Sequence, residues 1–226
     1  MARPLSNSAL RALGKRLVAH EQPDDADLRE LQAVLAAYEP VRDDVVSKVT
    51  EVTGIAPASR IKNTGTILEK LRRGHSLDSI RDLAGLRLVV PRRGGRDEQD
   101  GLVARLTSIF EDVSRSPKVV DRRVQLIQGY RAVHVIVYPE AFPIEIQVRT
   151  WAQHRWAEGF ERLADEVGRG IRYGEPSSAY SMVDQQRIRW MLRLADGIAE
   201  HEQAGMPPVG LLVFGVLDAL ESMRNE

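Results

Sequence analysis

Cysteine is absent from all 226 residues, which excludes disulfide frameworks, thiolate metal sites and cysteine nucleophiles. Neither sign of charge is in excess. The 32 Lys and Arg stand against 32 Asp and Glu, so a globally basic coat for nucleic acid is excluded while a local patch is not. No stretch approaches the roughly 18 consecutive apolar residues of a membrane span, and the opening MARPLSNSALRALGKRL has no apolar centre of the secretory kind. The expectation is a soluble, cytoplasmic protein with no membrane partner. Several catalytic signatures are missing too: there is no G-x-x-x-x-G-K-[ST] phosphate loop, no G-x-G-x-x-G fingerprint, no H-E-x-x-H pair and no G-x-S-x-G elbow. The five histidines are scattered without the spacing of a metal cage. Any phosphate chemistry here must be done by side chains.

What is present reads as an ordinary globular chain, 43 % hydrophobic and 28 % charged. Its length suits one domain with terminal extensions. Leu10, Leu13, Leu17 and Val18 recur at helical spacing, as do Leu28, Leu31, Val34 and Leu35 behind the acidic opening Asp24, Asp25 and Asp27. Pro40 predicts a kink or a break into two helices. Residues 1–53 therefore read as a helical N-terminal extension. From 54 to about 170 the texture changes: Leu86 to Val90 is a short apolar run between Gly85 and Pro91, and Val133/Val135/Val137 and Ile144/Ile146/Val148 alternate as strands do. Helical patterns at 65–74 and 101–112 lie between them, with 92–97 a surface connection. The core is thus α+β, a mixed β-sheet flanked by helices. Helical segments follow at 151–167, 177–204 and 207–224, interrupted by GRGIRYGEPSS, and residues 171–226 read as a helical C-terminal extension.

Four segments concentrate chemically useful side chains. In SRIKNTGTILEK, Arg60 and Lys62 point the same way if the chain is extended, and Thr66 and Lys70 share a helix face. Across 57–93 nine basic residues stand against three acidic ones, which suits a polyphosphate needing several charge-assisted donors. A solvated basic face has the same composition. In IRDLAGLRLVV, Asp82 sits at the mouth of an apolar strand and Arg87 inside it. A buried arginine is costly unless paired or turned to a ligand, so Arg87 is either half of an Asp82–Arg87 ion pair or part of a binding surface. Tyr130 and His134 share one side of YRAVHVIV. Glu145, Gln147 and Arg149 share one side of IEIQVR, which fits a functional surface or a solvated outer face. Two acids, Asp82 and Glu145, near a basic cluster can hold Mg²⁺ and deprotonate a hydroxyl.

Together and in order, SRIKNTGTILEKL, IRDLAGLRLVV, GYRAVHVIV and IEIQVRTWAQHRWAE resemble the RelA/SpoT nucleotide pyrophosphokinases, which make the guanosine alarmones ppGpp and pppGpp. The resemblance spans roughly residues 58–158. It implies a nucleotidyltransferase-like mixed sheet and transfer of the β,γ-diphosphate of ATP to the ribose 3′-hydroxyl of GDP or GTP. By the same resemblance Arg60 and Arg87 sandwich the adenine, and Lys62, Thr66 and Lys70 belong to the ATP site. Asp82 would be a Mg²⁺ ligand, and Glu145 would activate the hydroxyl with a share in the metal. Tyr130 would stack on the acceptor base, with His134, Gln147 and Arg149 in the polar surface around it.

Two departures stand out: Thr66 replaces a common serine, and VQLIQ precedes Gly129-Tyr130 where the family usually carries a lysine and an asparagine. No His-Asp dipeptide of the hydrolase half is present, so the resemblance is to a short, synthetase-only member. The family includes toxins that modify the tRNA 3′ CCA end and members that use adenosine nucleotides. A tRNA acceptor would draw on Arg11, Lys15, Arg16, Lys48, Arg169 or Arg172, which otherwise read as solvated helix charge. A catalytically silent nucleotide- or partner-binding domain is the non-enzymatic alternative. The apolar run VGLLVFGVL at 209–217 suits core packing, a homo-oligomer interface or an antitoxin-type partner.

Overall fold

The computed structural model describes residues 4–111, 115–124, 127–175 and 179–206. Among these, six α-helices and five strands form an α+β fold around one mixed sheet of order β1-β2-β5-β4-β3. The strands are β1 (Ala58–Ile61), β2 (Ala84–Val89), β3 (Lys118–Asp121), β4 (Val133–Val137) and β5 (Ile144–Arg149). The helices are α1 (Asn7–Arg16), α2 (Asp25–Thr53), α3 (Thr64–Arg72), α4 (Arg96–Ile109), α5 (Trp151–Val167) and α6 (Met182–Gln203). No helix among the described residues is long and apolar enough to cross a membrane. The apolar run 209–217 lies outside the described residues.

The chain divides into two compact units. The first comprises residues 1–88, 104–119 and 134–147. Of the kink or break expected at Pro40, the break is absent: α2 runs from Asp25 to Thr53 as one helix. Leu31, Val34, Leu35 and Tyr38 before the proline, and Val41, Val45 and Val49 after it, are all buried on one stripe. Pro40 itself is exposed, so the carbonyl it leaves without a helical donor is on the solvated side, where water can take the role. Gly54 at φ 70° closes the helix with a left-handed cap. Strand β1 pairs antiparallel with β2, Arg60 opposite Gly85 and Ala58 opposite Arg87. In β2 and β4 the apolar residues Leu86, Leu88, Val133, Val135 and Val137 are buried, while Gly85, Arg87 and His134 are only half-buried. The same alternation in β5 buries Ile144 and Ile146 and leaves Glu145 and Gln147 half-buried.

The second unit comprises residues 89–103, 120–133 and 148–226. Its core joins α5 to α6 through Trp156, Phe160, Leu163, Met191, Ala195 and Ile198. The Trp156 and Phe160 rings stack 4.9 Å apart, and the Trp156 indole donates to the Met191 carbonyl at 2.7 Å. Helix α5 starts with a reciprocal capping box: the Thr150 hydroxyl accepts from the Gln153 amide, and the Gln153 side chain accepts from the Thr150 amide. Where the sequence suggested only a loop after α5, residues Arg169–Tyr173 wind into a 3₁₀ turn.

Candidate active site

In the first unit, two lysines from separate segments meet at Asp82. Lys62, just past β1, reaches it with its Nζ 2.6 Å from Oδ2, and Lys70 of α3 donates to both carboxylate oxygens at 3.0 Å. The Lys62 amide donates to the Leu83 carbonyl at 2.8 Å, which fixes the two segments in register. Asn63 caps α3 by accepting from the Thr66 amide at 2.8 Å, and the Thr66 hydroxyl donates to the same oxygen. That cap sets the phase of the helix, so Lys70 faces the strand ends. Only 7 % of the Lys62 side chain is exposed. Burial lowers its ammonium below the usual lysine range despite the Asp82 charge, with Lys70 and Arg60 adding repulsion. Burial alone would raise the Asp82 carboxyl, but Lys62 and then Lys70 outweigh it and hold the group below its ordinary value. Asp82 is therefore a carboxylate at neutral pH, held by two lysines.

Glu145 forms the second focus. Its Oε1 lies 3.0 Å from His134 Nδ1, and its Oε2 accepts from the Gln147 amide at 2.9 Å. Burial pushes this carboxyl up, the His134 and Gln147 hydrogen bonds bring it down, and the charge of Asp82 pushes it up again; the net shift is downward. On the same sheet face, Arg60 stands opposite Gly85 and two pairs along from Arg87. In an antiparallel pair such diagonal neighbours are about 7–8 Å apart at their backbones. A Cβ added at Gly85 would approach the Glu145 carbonyl to 3.7 Å, so the glycine keeps the surface between the two arginines low.

The residues read as acceptor-binding divide between the units. His134 and Gln147 accompany Glu145 in the first. Tyr130 and Arg149 meet in the second, where Arg149 donates to the tyrosine hydroxyl at 3.1 Å and its guanidinium lies 5.0 Å from the ring centre. Tyr130 ends a tight turn in which its amide donates to the Ile127 carbonyl at 3.0 Å, with Gln128 and Gly129 both at positive φ. Of the VQLIQ departure, Gln125 and Leu126 lie outside the described residues, while Val124 and Ile127 are exposed.

Residues 59–164 match the family described as the region found in RelA / SpoT proteins. This region belongs to the RelA/SpoT family. An uncharacterised protein of Mycobacterium tuberculosis is 37 % identical to the chain over 179 residues, 76 % of this chain and 63 % of that protein. The bifunctional (p)ppGpp synthase/hydrolase RelA of the same organism is 28 % identical over 196 residues, 78 % of this chain and 25 % of its own length. The chain thus spans less than two thirds of the curated relatives it matches. In fold it is similar to the small alarmone synthetase 1 from Bacillus subtilis bound to its product pppGpp, with a TM-score of 0.59, 19 % identity, and coverage of 78 % of this chain and 96 % of that one. A GTP pyrophosphokinase family protein from Streptococcus pneumoniae gives 0.57 at 22 % identity, covering 76 % and 90 %. The matched region includes Lys62, Asp82, His134 and Glu145.

Sequence reading missed a buried polar network in the second unit. Gln99 of α4 donates to the Val148 carbonyl and to the Gln153 side chain, both at 2.9 Å, and accepts from Arg123 at 3.0 Å. Glu202, in the last turn of α6, accepts from the Thr150 hydroxyl and, at 2.8 Å, from the Gln153 side chain. The one readable signal was the spacing Thr150-x-x-Gln153; the other partners lie between 24 and 54 residues apart in the chain.

Proposed function

We propose that the protein is an ATP-dependent nucleotide pyrophosphokinase that transfers the β,γ-diphosphate of ATP to the ribose 3′-hydroxyl of GDP or GTP. The observation that carries this reading is the carboxylate of Asp82 gripped by Lys62 and Lys70, in the same unit as the Glu145 carboxylate held by His134 and Gln147. In this reading Glu145 takes the hydroxyl proton, the freed oxygen bonds to the β-phosphorus, and AMP departs with the electrons of the broken bond. His134 and Gln147 hold the Glu145 carboxylate in place and keep it ionised. Lys62 and Lys70, which neutralise Asp82 in the free protein, turn their donors to the triphosphate, with Thr66 at the start of the same helix. Arg60 and Arg87 offer planar guanidinium faces to the adenine. Tyr130 stacks on the acceptor base, with Arg149 against its ring.

Among the described residues no group of three His, Cys, Asp or Glu could hold a metal unaided. Two carboxylates fit Mg²⁺ nonetheless, because that ion keeps waters and takes substrate phosphates to complete its shell. Asp82 and Glu145 would hold it, and it would supply charge neutralisation on the transferring group.

A small nucleotide, rather than a tRNA end, is supported by the state of the outer cations. Arg11 is paired with Asp78 at 2.9 Å, Arg16 with Asp27 at 2.7 Å, Arg169 with Asp165 and Arg172 with Glu161, both at 3.2 Å. Lys48 lies over the Phe110 ring. Such pairs add little stability, but they cancel the field a phosphate backbone would follow. Incubation with γ-labelled ATP, Mg²⁺ and, separately, GDP, GTP, AMP and deacylated tRNA tests the reading. Label should appear in a guanosine product; label only in tRNA or in an adenosine product would replace the acceptor, and none anywhere would remove the enzyme.

A further inference from the structure

Helix α6 lies outside the matched family region, yet its side chains bind the chain neighbours of both Tyr130 and Arg149. Towards its middle, Asp196 accepts from Arg131 at 2.8 Å. The same guanidinium donates to the Gly129 carbonyl at 3.1 Å, so the residues on either side of Tyr130 are tied together and then to the helix. Ala195 and Met191 complete the seat. A Cβ at Gly129 would lie 3.0 Å from the Ala195 Cβ and 3.0 Å from the Trp156 ring, and Tyr130 itself packs against the α5–α6 core. Two turns further on, Glu202 binds Thr150 and Gln153, the residues that cap α5 directly after Arg149. Gln99 holds the Val148 carbonyl on the other side of Arg149, and the Val90 amide holds the Arg149 carbonyl at 2.8 Å. Asp196 is 63 % exposed where Arg131 is 8 % exposed. An exposed acid anchoring a buried arginine is a poor stabiliser of the core, but it fixes where the neighbouring tyrosine points.

We propose that Asp196 and Glu202 are positioning residues for acceptor specificity: α6 holds the Tyr130 ring and the Arg149 guanidinium at the separation that grips the acceptor's base. This rests on the reading of Tyr130 as the acceptor's stacking partner, so the test has one arm that needs no substrate. The full-length protein is labelled with 3-fluorotyrosine, and the Tyr130 resonance is assigned by its loss in Tyr130→Phe. Asp196→Asn and Glu202→Gln should each shift or broaden that resonance, while Arg193→Gln on the exposed side of the same helix leaves it in place. In the kinetic arm, with ATP, Mg²⁺ and GDP, both variants should raise the KM for GDP about three- to tenfold, the scale of one weakened charge-assisted hydrogen bond. KM for ATP and kcat should stay within about twofold, and Asp196→Glu should restore the KM for GDP. An unmoved Tyr130 resonance in both variants overturns the proposal whatever the kinetics. So does a parallel change in both KM values with a falling melting temperature, which would mean packing alone. If Tyr130→Ala raises the KM for GDP and the two α6 variants do not, the positioning role is wrong and the acceptor reading stands. If wild type does not turn over GDP, or Tyr130→Ala leaves its KM unchanged, the acceptor reading fails and takes this proposal with it.

Discussion

At the scale of single residues, two carboxylates share a neighbourhood but have different company. Asp82 is neutralised by ammonium groups, whereas Glu145 is held by an imidazole nitrogen and an amide. Lysine donors on Asp82 suit a group that hands its charge to a cation on binding; the softer partners of Glu145 suit the base of the proposed reaction. Glu145→Gln keeps the volume and removes the base, so transfer should fall by about 10²–10⁴-fold with the far-ultraviolet spectrum unchanged. Asp82→Asn should be as damaging, because Lys62 and Lys70 then lose the charge they face. Single-turnover rates on the variants check both, and a loss of only a few-fold would reassign the residues. Because Glu145 ionises below the ordinary range, the acid limb of the rate against pH should not reach up to neutrality on its account.

At the scale of elements, much of the architecture was legible because burial imposes a period. The α5 boundaries agree with the sequence pattern, and β2, β4 and β5 lie where branched residues alternate or cluster. Strand β3 was not seen: four residues, half of them exposed at the end of the sheet, carry too little alternation to register. At Pro40 the break did not form for the opposite reason: seven buried residues on one stripe hold the helix together across the proline. The site was legible only as four separate motifs. That Lys62 and Lys70 converge on Asp82, twenty and twelve residues apart, is a product of the β1–β2 register and of the Asn63 cap, neither of which spacing reveals. Two substitutions test the elements behind Tyr130. Gly129→Ala must adopt φ near +75° and push against Ala195 and Trp156, which should cost about 2 kcal/mol or more. Thr150→Ala removes the α5 cap and should cost about 1 kcal/mol. Urea midpoints measure both, and Gly129→Ala with an unchanged midpoint would contradict the close seat of the turn against α5 and α6.

At the scale of the whole molecule, zero formal charge conceals an uneven distribution of it. Asp78, Asp82, Asp121 and Glu145 are all lowered in the folded protein. Each therefore contributes stability that is fully present above its unfolded value, near 4, and is lost as pH falls through the folded one. The melting temperature should hold from neutrality to about pH 5 and drop below about pH 4; a rise on acidification would contradict the lowering of these four carboxyls. The proposed transfer site keeps a cationic surplus, since Arg60, Lys62 and Lys70 outnumber Asp82 and Glu145. A resting protein with that surplus invites small oxyanions from its medium. Phosphate, sulfate and free pyrophosphate should compete with ATP, so an assay buffered with phosphate would understate the affinity that one run in an amine buffer at equal ionic strength would reveal.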